Sequence, residues 1–544
     1  MNIKKTNMKM KSRTDKKEES SMKKKITSLI ALFMVMVMAL TGCGSSGSSS
    51  DSSADAGEPK YGGQLDITTG TVSSLDPMFE SVDEPMSRHI FETVLALDET
   101  GTPQTGLCSY KYSDDQLTLT LTLRDGIKFH NGDTVNAEDV VASIKRWAEN
   151  ISFGKSYVGK YMDSISAADD KTTVIKFKSI ASAAIYALAY EYQGAYVMPK
   201  EVCEEFPTSA VTDNSKIIGT GPYKLVEWKS DAYVMTERYT DYKATGNACG
   251  GPAGNKYAYC DKICFWFASD SDAKMNGLVS GQYDLYRLAD YSAYASLKDD
   301  PNFKVEMISD GTKPALVFNK SQGVCSNKLV RQAILAALDM DQVMLGAFNT
   351  KELYDLTGSW TPIGSAYYCD NSKYNQKDLS KAKELLAQSG YNGETVTYIT
   401  DTTGYYYETA MIVTNAMRSI GMNVDLQTMD QATLYTVRKD PSKYDIFAVG
   451  FTAKADCSMM AFLGDTWPGE WVSEKKTDII NKMNATTDAQ TRIGLWKEMT
   501  DLIYDEVPVI TFGERKNCTI VAKNIMNATY SGSEPYYWNV WINE

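Results

Sequence analysis

The chain has 544 residues, is 43% hydrophobic and carries 56 Lys+Arg against 69 Asp+Glu. At roughly 100 to 200 residues per domain this implies about two to four domains with buried cores and excludes a disordered chain. The first 42 residues hold 10 of the basic and 3 of the acidic side chains, so the remainder has a net charge of −20, which excludes a nucleic-acid surface because phosphate neutralisation needs clustered Lys and Arg. After Met22-Lys23-Lys24-Lys25, residues 26–40 (ITSLIALFMVMVMAL) carry no charge. A bilayer core needs about 20 helical residues, so this shorter run reads as the apolar segment of a signal peptide, with 1–42 as leader and polar lead. Leu40-Thr41-Gly42-Cys43 looks like a bacterial lipobox, which makes Cys43 the expected lipidation site. The linker 43–59 contains GSSGSSSDSSADAG, a flexible coil with a reach of about 20 Å. The expected mature chain is therefore extracytoplasmic and lipid-anchored to the outer face of the cell membrane.

The body reads as mixed α/β. Leu117-Thr118-Leu119-Thr120-Leu121-Thr122-Leu123 alternates apolar and polar residues, the pattern of a strand with one buried face. Asn136-Ala137-Glu138-Asp139 offers a helix N-cap, and Val140, Val141, Ile144 and Trp147 follow at helical spacing. Asn327 caps a further helix with Val330, Ile334 and Leu338 on its apolar side, and Ser380 opens one that ends at Gly390. Strands over 394–400, 422–428 and 444–451, with a helix over 405–420 between the first two, imply βαβ units and a parallel or mixed sheet.

Enzyme motifs are weak. With only His89 and His130 in the chain, a catalytic triad or a multi-histidine metal site is nearly excluded by count. Gly250-Gly251-Pro252-Ala253-Gly254-Asn255-Lys256 has the wrong spacing for a phosphate loop, and Tyr257 stands where Ser or Thr would bind magnesium. Ser271-Asp272-Ala273-Lys274 and Ser380-Lys381-Ala382-Lys383 lack an accompanying Lys-Thr-Gly. Nine cysteines follow Cys43, and Cys249, Cys260 and Cys264 cluster; disulfides and buried free thiols are the leading readings there, a thiolate metal site the lesser one.

Three separated segments resemble the family 5 solute-binding proteins of ABC importers, the group with the oligopeptide- and dipeptide-binding proteins. They are Leu123-Arg124-Asp125-Gly126-Ile127-Lys128-Phe129-His130-Asn131-Gly132-Asp133 with Asn136 to Val140; Gly219-Thr220-Gly221-Pro222-Tyr223-Lys224-Leu225 with Glu237-Arg238 and Asp241-Tyr242; and Val317-Phe318-Asn319 with Val330-Arg331-Gln332-Ala333, Leu338-Asp339 and Asp341. Gly277-Leu278-Val279-Ser280-Gly281-Gln282-Tyr283-Asp284 adds support. The resemblance implies a periplasmic-binding-protein-like type II α/β fold: two lobes with a hinge and an extra inserted domain in the first lobe. Its implied divisions are 60–104, 217–313 and 516–544 for the first lobe, 105–216 for the inserted domain and 314–515 for the second lobe. The hinge is expected at Phe318 and Asn319 and again over 512–518.

The implied function is capture of a small solute between closing lobes and delivery to the permease and ATPase subunits of an ABC importer, with no catalytic residue, cofactor or metal. An oligopeptide or dipeptide is the leading solute. An oligosaccharide or metal chelate is the alternative, and a surface hydrolase or adhesin the more distant one. A two-lobe binder of this kind is expected to act as a monomer. Peptide binders of the family pair the peptide's free amino group with an aspartate in a loop after a second-lobe strand, a role that the resemblance gives to Asp456, with Thr452 and Lys454 in the same loop. Glu80, Ser81, Val82 and Asp83 are expected to face the cleft from the first lobe, with backbone groups pairing to an extended ligand, and Phe512 to form a wall near the hinge.

Overall fold

Three sheets organise the protein. The computed structural model describes residues 58–79, 85–454, 456–528 and 536–543; the apolar run 26–40, Cys43, the tether, and Glu80, Ser81, Val82 and Asp83 lie outside the described residues. Among the described residues no helix is long and apolar enough to cross a membrane.

The four-stranded sheet is antiparallel and runs Cys108–Tyr112, Thr118–Leu123, Thr172–Phe177, Met162–Ala167. The Leu-Thr alternation sets its faces: Leu119, Leu121 and Leu123 are buried, and the threonines between them are half-buried or exposed. The helix Ala137–Asn150 packs against this sheet. Asn136 Oδ1 accepts from the backbone N–H of Glu138 and Asp139, and Asp139 returns a bond to the Asn136 N–H, a complete capping box.

The eight-stranded sheet has at its centre Gln64–Thr69, parallel to Lys262–Phe267 and Leu285–Ala289. Antiparallel strands Tyr233–Arg238 and Tyr223–Lys229 extend one side, and Glu514–Ala522 and Phe303–Ser309 the other. The five-stranded sheet is ordered Asn423–Met429, Thr395–Asp401, Ile446–Phe451, Lys313–Phe318, Val509–Thr511. Its first three strands are parallel, and helix Tyr406–Ser419 makes the crossover between two of them. The helix expected to open at Ser380 is Leu379–Gln388 and is capped two residues earlier, by Asp378, which accepts from the N–H of Ser380 and Lys381.

Two of the sequence motifs meet in space. The His130 N–H bonds the Gly219 carbonyl at 2.9 Å, the Gly219 N–H reaches His130 Nδ1 at 3.3 Å, and His130 Nε2 lies 3.0 Å from the Gly221 carbonyl. With Nδ1 accepting, Nε2 carries the proton and donates. Burial, opposed by the Gly221 bond, holds the imidazole down at about 4, so it is neutral. The glycines are required for close approach: a Cβ on Gly219 would collide with the Ile90 carbonyl and one on Gly221 with the His89 carbonyl.

The nine described cysteines are all free. Burial pushes the thiols of Cys260 and Cys264 up to about 12, so they are protonated and serve as small apolar groups.

The chain passes between the two large sheets at 310–312 and again at 512–513. These crossings, and not Phe318 and Asn319, are the links that lie in neither sheet. Phe318 ends a strand whose six residues are all buried and pair with Ile446–Phe451, three of them, Ala315, Leu316 and Val317, pairing also with Val509–Thr511, and Asn319 Nδ2 donates to the carbonyls of Pro441 and Tyr444, so both sit in packed, hydrogen-bonded structure. At the crossings the buried Lys313 ammonium pairs with Glu514, both 0% exposed, and Arg515 pairs with Asp310.

Gly219→Ala is expected to destabilise the protein by about 3 kcal/mol, because backbone atoms cannot yield as a flexible side chain would, whereas Gly246→Ala, facing open space at φ +79°, costs about 1 kcal/mol from the left-handed backbone alone; denaturant unfolding of both variants checks this. Asp284 accepts the Asp66 N–H at 2.8 Å, and burial, aided by the Asp66 charge, pushes its carboxyl up to about 6. A raised carboxyl favours the folded state below the unfolded value near 4 and loses that contribution as pH rises through 6. Asp284→Asn is therefore expected to be more stable than the native chain by about 2 kcal/mol at pH 8 and no more stable at pH 4, read as melting temperature against pH.

Candidate functional site

The sheet topology places the cleft. Phe303–Ser309 runs in the same direction as Leu285–Ala289 and Gln64–Thr69 and leads into the first crossing, so the C-terminal ends of these strands share the edge that faces the second large sheet. In the five-stranded sheet Phe451 pairs with Lys313 at the other end of that crossing, and the parallel strand Thr395–Asp401 ends on the same side. The segments after Thr69 and after Phe451 thus open toward one seam, as expected for ligand loops of α/β sheets.

Across that seam the four-stranded unit meets the second sheet's loops. The Tyr190 hydroxyl bonds the Ala453 carbonyl at 3.4 Å, and the hydroxyls of Tyr186 and Tyr367 are 3.2 Å apart. Gln116, in the left-handed conformation at the tip of the hairpin (φ +59°), accepts from the N–H and hydroxyl of Thr487 at 2.9 and 2.8 Å. One continuous apolar cluster runs from Leu119, Leu121 and Ile175 through Tyr186 and Tyr367 to Phe451 and Trp496.

Asp456 lies within this seam and is 0% exposed. It caps the short helix Cys457–Met459, accepting the Ser458 N–H at 2.9 Å and the Ser458 hydroxyl. Arg492 Nη2 stands 2.6 Å from each carboxylate oxygen, and the Tyr367 hydroxyl is 3.2 Å from Oδ2. Arg492, also 0% exposed, is pinned in turn: Nη1 bonds the Met483 carbonyl at 2.6 Å and Nε the Tyr367 hydroxyl at 3.3 Å. Burial works against the guanidinium charge, but the Asp456 carboxylate more than reverses this and holds it protonated. Burial and the Asp456 charge together push the hydroxyl of Tyr367 upward and that of Tyr157 to about 12, so these phenols are neutral donors.

The structure thus brings Asp456 into the seam but with its carboxylate already occupied, contrary to the expectation of a carboxylate open to a ligand. Thr452 is exposed and accepts from Lys454 Nζ at 3.2 Å; that ammonium stands 5.9 Å from the Tyr190 ring on the opposite wall. Phe512, expected as a cleft wall, is 1% exposed and packs in the core with Leu316, Phe318 and Met344, because its N–H is paired with the Pro314 carbonyl and its side chain falls on the helix-covered face of the five-stranded sheet. Arg492, Tyr367 and Tyr186 were not singled out by sequence. A signal for Arg492 exists: in helix Ala489–Glu506 it shares the buried stripe of Trp496, Met499 and Ile503, and an arginine on an apolar face requires a buried counter-ion.

Residues 102–469 match the bacterial extracellular solute-binding proteins, family 5 Middle. The chain belongs to this family. It is an extracellular solute-binding protein of type II two-lobed fold, with a hinge and an extra inserted domain. It is 26% identical over 495 residues to a probable peptide ABC transporter periplasmic-binding protein, y4tO, of Sinorhizobium fredii, covering 86% of this chain and 91% of that one. Among solved structures, the ABC transporter substrate-binding protein CtaP of Listeria monocytogenes superimposes with a TM-score of 0.78 at 21% identity, covering 89% of this chain and all of the other. The periplasmic binding protein DppA of Helicobacter pylori, in complex with the peptide STSA, gives 0.69 at 22% identity, covering 89% and 99%.

Asp456→Ala leaves a buried guanidinium without its counter-ion and is expected to destabilise the fold by about 3 to 5 kcal/mol, while Thr452→Ala, on the exposed part of the same loop, changes stability by less than about 0.5 kcal/mol. Urea unfolding of the two variants separates them.

Proposed function

We propose that this protein captures a peptide between its lobes and delivers it to the permease and ATPase subunits of an ABC importer. The observation that carries this reading is the closed seam itself: the inserted unit and the loop after Ile446–Phe451 meet through tyrosines and backbone groups, a neutral donor-rich wall suited to an extended polyamide. The relatives named for peptides agree with it. The eight-stranded sheet with its flanking elements is the first lobe, over 60–104, 217–313 and 516–544. The four-stranded sheet is the inserted domain over 105–216, and the five-stranded sheet the second lobe over 314–515. Thr452, Lys454 and the segment Glu80, Ser81, Val82, Asp83 are the ligand-facing groups of the two lobes. Lipidation at Cys43, cleavage after Gly42 and a tether over 43–59 hold a monomer at the outer face of the membrane, and the protein makes and breaks no bond in the solute.

A second reading, an oligosaccharide, is favoured by one observation: the carboxylate at the seam is already neutralised by Arg492, and tyrosine faces suit sugar rings as well as peptides.

The test is native mass spectrometry of Cys43→Ser protein lacking residues 1–42, followed by a thermal-shift series with di- to hexapeptides and oligosaccharides. Peptide binding is expected to appear as a co-purified mass or a raised melting temperature, equivalent to about 2.7 kcal/mol at a concentration one hundred times Kd. A sugar response with peptide silence would replace the solute while keeping the transport role.

A further inference from the structure

A carboxylate sealed between two lobes is a natural seat for a cationic group of a solute, and here the protein supplies the cation itself. The acceptor positions of Asp456 are filled from within the second lobe. Oδ1 takes the Ser458 N–H, the Ser458 hydroxyl and Arg492 Nη2, and Oδ2 takes Arg492 Nη2 and the Tyr367 hydroxyl. A carboxylate has about four lone-pair positions, so no acceptor is left for an incoming ammonium. Nor is Arg492 a loosely seated occupant that a ligand could push aside. It lies on a helix, is fully buried, and is held at Nη1 by the Met483 carbonyl and at Nε by Tyr367. Expelling it would open the apolar cluster around Trp496 and take the Arg492 donors away from the Met483 carbonyl and the Tyr367 hydroxyl.

We propose that Arg492 determines the selectivity of this site by permanently occupying Asp456, so that the solute is held without an ammonium contact there, and peptides with a blocked amino terminus are accepted as readily as free ones. This rests on the reading of the seam as a peptide cleft. The ion pair also positions Tyr367, whose hydroxyl is the second-lobe half of the Tyr186 bridge, so the charge that is withheld from the ligand is used to set a closing contact.

The experiment compares one pool of tetra- to hexapeptides with its N-acetylated copy, by competition in native mass spectrometry, on three proteins: the native chain, Arg492→Gln, and the double variant Asp456→Asn/Arg492→Gln. The double variant removes both charges, the Asp456→Asn change being isosteric, and covers the case in which the single variant fails to fold. In the native chain acetylation is expected to change affinity by less than threefold, and the double variant to keep that ratio. Arg492→Gln, with its carboxylate released, is expected to favour free amines by tenfold or more. A tenfold preference for free amines in the native chain that the double variant abolishes would overturn the proposal. If both pools are silent while oligosaccharides raise the melting temperature, the peptide reading falls and this proposal falls with it, an outcome distinct from a preference of the native chain for free amines.

Discussion

Everything in this molecule hangs on the two places where the chain leaves one large sheet for the other. The crossings at 310–312 and 512–513 lie side by side, tied by the Arg515 N–H to the Thr312 carbonyl and by the Lys313–Glu514 and Arg515–Asp310 pairs. Two short adjacent links leave a rigid two-lobed body one soft motion, rotation about the line through them, as in hinge closure. The ion pairs keep that line narrow. Lys313 and Glu514 are fully buried, so separating them would expose each charge to a low-dielectric wall before water could reach it, and the crossing residues therefore move as a unit. The proposed reading then makes this the hinge side, and the opposite rim, where the four-stranded unit faces the segment after Phe451, the part that travels.

A division of labour between charged and neutral contacts follows. Within the second lobe the fixed geometry of the loop after Phe451 is set by charge: Asp456 against Arg492, on a helix whose buried stripe is anchored in the common apolar cluster. Neutral hydrogen bonds cross the seam among the described residues: Tyr186 with Tyr367, Tyr190 with Ala453, Gln116 with Thr487. A neutral hydrogen bond exchanged for water contributes about 1 kcal/mol net, whereas leaving a buried charge unpaired costs several. On the proposed reading, ion pairs fix the loop after Phe451, and these neutral bonds are the ones exchanged for water when the lobes part.

Much of the scaffold was legible because its determinants are local. The Asn136–Asp139 capping box, the Leu-Thr alternation of 118–123 and the βαβ pattern over 395–429 each need only neighbours in sequence. Phe318 and Asn319, expected as the hinge, lie at the end of a buried strand, whereas the crossing at 310–312 carries a turn pair, Asp310-Gly311, with Gly311 at φ +66°. Phe318 and Asn319 look distinctive because one is core and the other pins two carbonyls, which is a packing role and not a bending one. The state of Asp456 was not legible in the same way. Its partner lies 36 residues away in another helix, and Tyr367 89 residues away in a third segment; only the fold decides which cation reaches a given carboxylate.

That last point separates fold from specificity in this protein. The family's scaffold positions depend on backbone packing that tolerates little: the Gly219 and Gly221 approach to residues 89 and 90 is set by atoms no substitution can trim. The chemistry of the seam depends instead on which side chain fills an acceptor first. Asp456 keeps the location that a ligand-binding carboxylate would need, at the end of a strand and between the lobes, yet its oxygens are spent on Ser458, Tyr367 and Arg492. The two roles exclude each other for a geometric reason. A carboxylate that caps its own loop and balances a buried arginine has no direction left from which a solute can approach. On the proposed reading, recognition falls to the groups around it, the tyrosine hydroxyls, backbone carbonyls and Lys454 ammonium of the seam.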